Sequence, residues 1–125
     1  MAATVLPVTL VTTTSSFLLA NGKPLAGARL NYTLDRPELD TALATAVVPL
    51  ADQYVSFDTD GKLPAGFGLW ANSRGNQGSR WILTITYGNP FVPLFPPMSV
   101  IVPVAASVEL TTLLAGANSF PQPVV

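Results

Sequence analysis

Residues 28 to 35 read "ARLNYTLD", and their pattern sets the strongest limit on the fold. Ala28, Leu30, Tyr32 and Leu34 fall on one side of an extended chain, and Arg29, Asn31, Thr33 and Asp35 on the other. The same period of two returns in "RWILTITYG", where Trp81, Leu83, Ile85 and Tyr87 alternate with Arg80, Ile82, Thr84 and Thr86. These two rows are expected to face one core from facing strands. "YVSFD" and "MSVIVPV" add shorter runs, and "ASVELTTLL" reads as the last strand. The first run, "TVLPVTLVTTTSSF", is long, and Pro7 within it implies an edge position or a bulge. Twelve prolines and nine glycines leave few stretches in which a helix could run.

Turn chemistry separates these runs. "ANGKPLAG" carries Asn-Gly followed by proline, "DTDGK" carries Asp-Gly, and "NSRGNQGS" carries two glycines. "YGNPFVPLFPP" is too rich in proline for a central strand. "RPELDTALATAVV" reads either as a short helix from Pro37 or as a loop running into a strand at residues 46–50. The loop and strand are favoured, because Thr41 and Thr45 weaken a helix and Val47-Val48-Pro49 reads extended. The expectation is an all-β chain: one antiparallel β-sandwich of about seven strands over residues 1–115, immunoglobulin-like or transthyretin-like. Residues 116–125, with two prolines and no period, read as an extended C-terminal arm ordered by a partner.

Composition narrows function. Surface scaling puts about two thirds of the chain's area inside, enough for a core without staples. There is no histidine and no cysteine, which removes histidine acid–base chemistry, thiol chemistry and disulfides. The six basic residues, Lys23, Arg29, Arg36, Lys62, Arg74 and Arg80, are scattered, so no stripe awaits a phosphate backbone and no nucleic-acid partner is expected. The N-terminal run is apolar but has no basic start and is broken by hydroxyl residues, so it reads as strand and neither as a signal peptide nor as a membrane span. Charged residues make up 10% of the chain, where about 25% is usual. A surface so poor in charge is expected to be covered by other chains.

Two loops invite a functional reading. Asp58-Thr59-Asp60-Gly61 resembles the start of a calcium loop, but the twelfth position from Asp58 is Leu69 instead of glutamate, and no third ligand lies between. It reads as an Asx-type turn with Gly61 at positive φ. Carboxylates that could pair for acid–base work are Asp35, Glu38, Asp40, Asp52, Asp58, Asp60 and Glu109, and none sits in a glycine-rich or aromatic setting that would mark a cleft. No catalytic residue, metal or cofactor is expected. In "LWANSRGNQGSRW", Trp70 and Trp81 flank a loop of amides, serines and arginines. The tryptophans of such a hairpin belong either to the core, with the amides capping the turn, or to a contact made by Trp70, Asn72, Arg74 and Arg80 with a sugar or a neighbouring protein. Phe120 and Val124 in the arm are further candidate contacts.

The turn glycines and core aromatics carry a resemblance. "LANGKPLAGARLNYTLDR" resembles the opening of carboxypeptidase-regulatory-like or transthyretin-like sandwich modules, whose G-x-P-x-x-G turn is here Gly22, Pro24 and Gly27. Residues 55–88 resemble the second half of small β-sandwich domains of bacteriophage tail fibres and baseplate adaptors. That half has a D-x-x-G turn, a "LW-x-N" strand end, a polar glycine loop and an aromatic-led strand. The resemblance covers about residues 8 to 113. It implies a non-enzymatic virion structural domain, a tail adaptor or fibre-base component in a symmetric homo-oligomer that touches other virion proteins, assembled in the bacterial cytoplasm with no membrane partner. Such domains often begin much longer fibres, whereas this sequence ends at Val125. Capsid decoration is the second reading, and a carbohydrate-binding module using Trp70, Trp81 and Arg74 is the third.

Overall fold

A computed structural model describes residues 8–50, 53–94 and 96–115. The chain is all-β apart from one short helix. Two runs of alternating residues form its centre. Strand β2 (Arg29–Leu34) pairs antiparallel with β7 (Trp81–Tyr87), placing Leu30 opposite Ile85, Tyr32 opposite Leu83 and Leu34 opposite Trp81. Apolar groups therefore meet across the ladder on one face, and the opposite face carries Arg29, Asn31, Thr33, Ile82, Thr84 and Thr86. The two rows lie side by side in one sheet and not on facing strands, as their spacing alone had implied. They do share one core: Leu30, Leu83 and Ile85 are at most 1% exposed.

Other strands complete this sheet. Strand β5 (Gln53–Ser56) lies along β2. Along the other side of β7 run β8 (Val92–Pro93) at its C-terminal half and β9 (Met98–Val100) at its N-terminal half. The proline-rich segment thus supplies only a two-residue edge strand.

A second sheet has the order β10 (Ser107–Glu109), β1 (Val8–Thr12), β6 (Gly68–Trp70). Two expectations change here. Strand β1 is central in its sheet and not an edge, because β10 occupies the side that would have been open. The β1–β10 pair is also parallel, so the chain is not purely antiparallel. Val11, Leu69 and Trp70 from this sheet join the cluster formed by Leu30, Leu83, Ile85, Met98 and Val100 from the other.

The described residues hold ten strands where about seven were expected, and the surplus comes from short pieces. Residues 38 to 47 form a hairpin, β3 (Glu38–Asp40) with β4 (Thr45–Val47), turned at Ala44 with φ 50°. The favoured loop therefore contains a strand of its own. The run "ASVELTTLL" is strand only to Glu109 and then becomes helix α1 (Leu110–Ala115). Leu110, Leu113 and Leu114 recur at three and four residues, a helical spacing, and all are at most 5% exposed.

The turns fall where their residues require. Gly22 and Gly27 have φ of 84° and 76°. In the Asp58 turn, the Asp60 and Lys62 N–H groups donate to Asp58 Oδ1 at 2.9 and 3.0 Å, and Gly61 has φ 72°. A Cβ on Gly61 would lie 2.5 Å from the Phe17 carbonyl oxygen, so this position admits only glycine. Pro7, Asp52, Phe120 and Val124, and the expected arm at 116–125, lie outside the described residues.

Burial of Leu83 is complete, so Leu83→Ala should cost about 2–5 kcal/mol in urea unfolding. Ile82→Ala, on the opposite face of the same strand, should cost under about 1 kcal/mol. Equal losses at the two positions would contradict the assigned faces.

Candidate functional site

The loop between the two tryptophans is held by a strip of chain from Asp35 to Thr41, and the strip runs antiparallel to it. Asp35 exchanges bonds with Arg80: the Arg80 N–H donates to Asp35 Oδ1 at 2.9 Å, and the Asp35 N–H donates to the Arg80 carbonyl at 3.0 Å. The Arg36 guanidinium donates to the Gln77 carbonyl at 3.2 Å. Thr41 donates through both N–H and Oγ1 to the Arg74 carbonyl.

Between these ends sit two buried carboxylates. Strand β3 turns Glu38 and Asp40 inward, at 4% and 0% exposure, and leaves Leu39 outside. Glu38 Oε1 accepts the Asn76 and Gln77 N–H groups at 3.1 and 2.7 Å. Its Oε2 accepts the N–H and Oγ–H of Ser79 at 2.9 and 2.5 Å. The loop wraps its amides around an anion that the chain itself supplies. Gly75 makes this approach possible, since a Cβ there would collide with the Glu38 carboxylate.

Asp40 is the second anchor. Its Oδ2 accepts the Trp70 indole N–H at 2.8 Å, and its Oδ1 accepts the N–H groups of Ala42 and Leu43 and the Arg74 Nη2, each at 3.1 Å. Arg74 Nε lies 2.9 Å from Oδ2 without the alignment of a hydrogen bond, so it acts there as a charge. These partners correct the expectation that no carboxylate lies in a glycine-rich or aromatic setting. Glu38 sits in the glycine loop, and Asp40 sits against Trp70.

Burial pushes the carboxyls of both residues up. For Glu38 the Ser79 hydroxyl and the amides of Ser79, Gln77 and Asn76 more than offset that, leaving it below its ordinary 4.5. For Asp40 the Trp70 indole, the Leu43 amide and Arg74 do the same, leaving it below 3.8. Both are therefore ionised at neutral pH, with their oxygens occupied by internal donors.

The expected contact residues are brought together, but mostly inside. Trp70 and Trp81 are 3% and 8% exposed, and the Trp81 indole N–H donates to the Trp70 carbonyl at 2.9 Å. Neither ring offers a free stacking face. Asn72 starts a single 3-10 turn (Asn72–Arg74), is buried, donates to the Ser79 carbonyl and accepts from the Val102 N–H, both at 2.6 Å. Arg80, half-buried, donates to Ser99 Oγ and the Ser99 carbonyl at 3.1 and 3.0 Å. Beside the loop a hollow of about 380 Å³ is lined by Asn72, Ser73, Gly75, Ser79, Arg80 and Ile101. Among the described residues no three acidic side chains gather as metal ligands would.

Because both carboxylates lie below their ordinary values when folded, their stabilisation is complete above those values and is lost as pH falls through the folded ones. Wild-type unfolding free energy should therefore decline as pH drops below about 5. Glu38→Gln should be less stable at pH 7 and show a shallower acid decline, so that the two curves approach each other near pH 2. Parallel curves in urea titrations across this range would remove Glu38 from that role. Gly75→Ala should also destabilise, and by less in a Glu38→Ser background, where the collision is absent.

No protein-family model, no curated protein and no solved structure matches the chain.

Proposed function

We propose that the chain is a non-enzymatic structural subunit of a symmetric protein assembly and, in the finer reading, a tail adaptor or fibre-base component of a bacteriophage. The observation that carries the coarser statement is the outer side of the β3–β4 hairpin together with the three residues that follow it. Leu39, Leu43, Val48 and Leu50 are 41%, 39%, 73% and 62% exposed within a span of twelve residues. Among the described residues this hairpin forms a sheet of only two strands; its β3 side lies against the 74–80 loop, and its β4 side has no further strand. Exposed apolar groups beside an open strand edge are covered in assemblies far more readily than they are tolerated in water. The hairpin's inner side is anchored by Glu38 and Asp40, which makes the platform rigid and keeps its ordering cost on contact low.

The finer reading is supported by the resemblance of residues 8–113 to small sandwich domains of tail fibres and baseplate adaptors. Two sheets sharing one core support the sandwich part of it, immunoglobulin-like or transthyretin-like. The scarcity of charge supports a surface buried between neighbours. The occupant of the hairpin face is a second copy of this chain.

Sedimentation velocity of the full chain should show a concentration-dependent oligomer, and Leu39→Glu with Val48→Glu should return it to monomer without lowering its melting temperature by more than a few degrees. A wild-type chain that stays monomeric at high concentration contradicts the self-association. Gold labelling of a tag placed in the exposed Gly22 turn tests the location. Gold at the tail base of purified particles is the expected result, gold on the head converts the reading to capsid decoration, and particles without gold overturn both.

A further inference from the structure

We propose that the outward face of the β5–β2–β7 sheet binds an acidic saccharide, with its carboxylate on Arg29 and its ring in the adjoining hollow. The site lies on the opposite face of the sheet from the core, and it stands whether or not the chain assembles with itself.

Arg29 is the starting point because it differs from every other arginine in the chain. Arg36 pairs with Asp35, Arg74 with Asp40, and Arg80 with Ser99. The Arg29 guanidinium has no oxygen acceptor among the described residues, is half-buried, and is not among the buried atoms left without a partner. Its carbon instead lies 4.2 Å from the ring centre of Tyr54 and 4.0 Å from that of Phe91. Two rings hold the group flat and limit its rotamers, so little freedom is left to lose when an anion binds. A guanidinium fixed in this way keeps its N–H fork for a planar, two-oxygen acceptor, and a carboxylate matches that fork with two parallel bonds.

The register explains the clamp. Arg29 lies opposite Ser56 on β5 and Thr86 on β7, two small residues that leave room above it. Tyr54 is the diagonal neighbour on β5, and Phe91 comes in from the turn between β7 and β8. Both rings stay 48% and 40% exposed, although each uses one face on Arg29.

A saccharide is favoured over an acidic side chain by what lies beside the clamp. Two residues along the same face, about 7 Å away, a hollow of about 150 Å³ is lined by Asn31, Thr33, Gln53, Ile82 and Thr84 together with Tyr32. That is room for one sugar ring and well below the roughly 300–1,000 Å³ of a drug-sized pocket. Asn31 donates its amide to Thr84 O and Thr86 Oγ1, which fixes the side chain and leaves its Oδ1 as an acceptor. The Thr84 hydroxyl makes no side-chain bond among the described residues, while Gln53, opposite Tyr32 in the register, shares the inward face of the sheet. An acceptor at Asn31 and a hydroxyl at Thr84 therefore stand beside the apolar Ile82, a combination that suits a ring with hydroxyl edges and a C–H face. An acidic side chain would use the fork and leave this hollow empty.

The test is a titration of the full chain with tri-galacturonate and with its fully methyl-esterified, neutral form, followed by amide chemical shifts and calorimetry. The expected result is binding of the acid with shifts confined to residues 29–33, 53–56 and 82–86, and affinity for the ester about tenfold lower or worse. Arg29→Lys keeps the charge but loses the fork and should weaken the acid by about tenfold, while Arg36→Lys should change nothing. Tyr54→Ala serves as a second variant should Arg29→Lys unfold, and it should weaken the acid likewise. No shifts at about 10 mM acid, equal binding of acid and ester, or indifference to both variants would each overturn the proposal. An acetylated Gly-Glu-Gly peptide that binds as tightly through Arg29 would overturn the saccharide assignment.

Discussion

Two buried carboxylates set the terms for the rest of the structure. A buried carboxylate without donors is too costly to keep, so Glu38 and Asp40 require the chain to bring N–H groups to them. The loop from Asn72 to Ser79 meets this requirement for Glu38, with three amides and a hydroxyl converging on one group. Asp40 organises the other end by holding the Trp70 indole and the Arg74 guanidinium. The loop has no regular structure beyond a single 3-10 turn, and its amides would otherwise be left to water. Its shape is the shape needed to solvate an anion. Loop and hairpin are therefore interdependent, and neither conformation is self-sufficient.

This dependence also decides which parts could be read from the residues alone. Strands β2 and β7 were legible because their polar and apolar residues alternate in the ordinary sense, with the apolar set inward. The turns at Gly22, Gly27 and Gly61 were legible because their positive φ needs glycine. Strand β3 was not, because it inverts the rule: Glu38 and Asp40 go in and Leu39 goes out. A pattern reading takes that as surface, and only the donors supplied some forty residues later reverse it. The signal within reach was the pairing of "ELD" with a loop rich in backbone N–H groups and an arginine, and it requires knowing that the two meet. Helix α1 was misread for a simpler reason. Leu110, Leu113 and Leu114 carry the helical spacing, but three residues of strand precede them and blur the change of period.

The candidate loop shows why residue type is a poor guide to exposure. Tryptophan, arginine and asparagine between glycines suit a binding loop, and they suit an internal lock equally well. Trp70, Asn72 and Arg74 all have partners of complementary chemistry within the chain, so they are engaged internally. The position of a partner, and not the identity of the side chain, separates the two roles. By that criterion the polar groups still open to an external molecule lie elsewhere, on the outward face of β2 and its neighbours.

Scarcity of charge makes this distinction sharp. With six basic and seven acidic residues in 125, each ion pair formed inside removes a visible share of what the surface could carry. Glu38, Asp40 and Arg74 are spent on the loop, Asp35 and Arg36 on each other and on its flanks, and Asp58 on its own turn. The surface that remains is hydroxyl, amide and aliphatic, with little like-charge repulsion to keep neighbouring molecules apart. The proposed contact between copies through Leu39, Leu43, Val48 and Leu50 would meet little such repulsion. Such a surface also isolates the few charges left, and a cation without competing anions nearby keeps its full attraction for one brought from outside. Arg29 stands in that position, held by two rings and answered by no carboxylate among the described residues. The economy of charge behind the proposed packing against other copies is thus the same condition that leaves Arg29 without an answering carboxylate among the described residues.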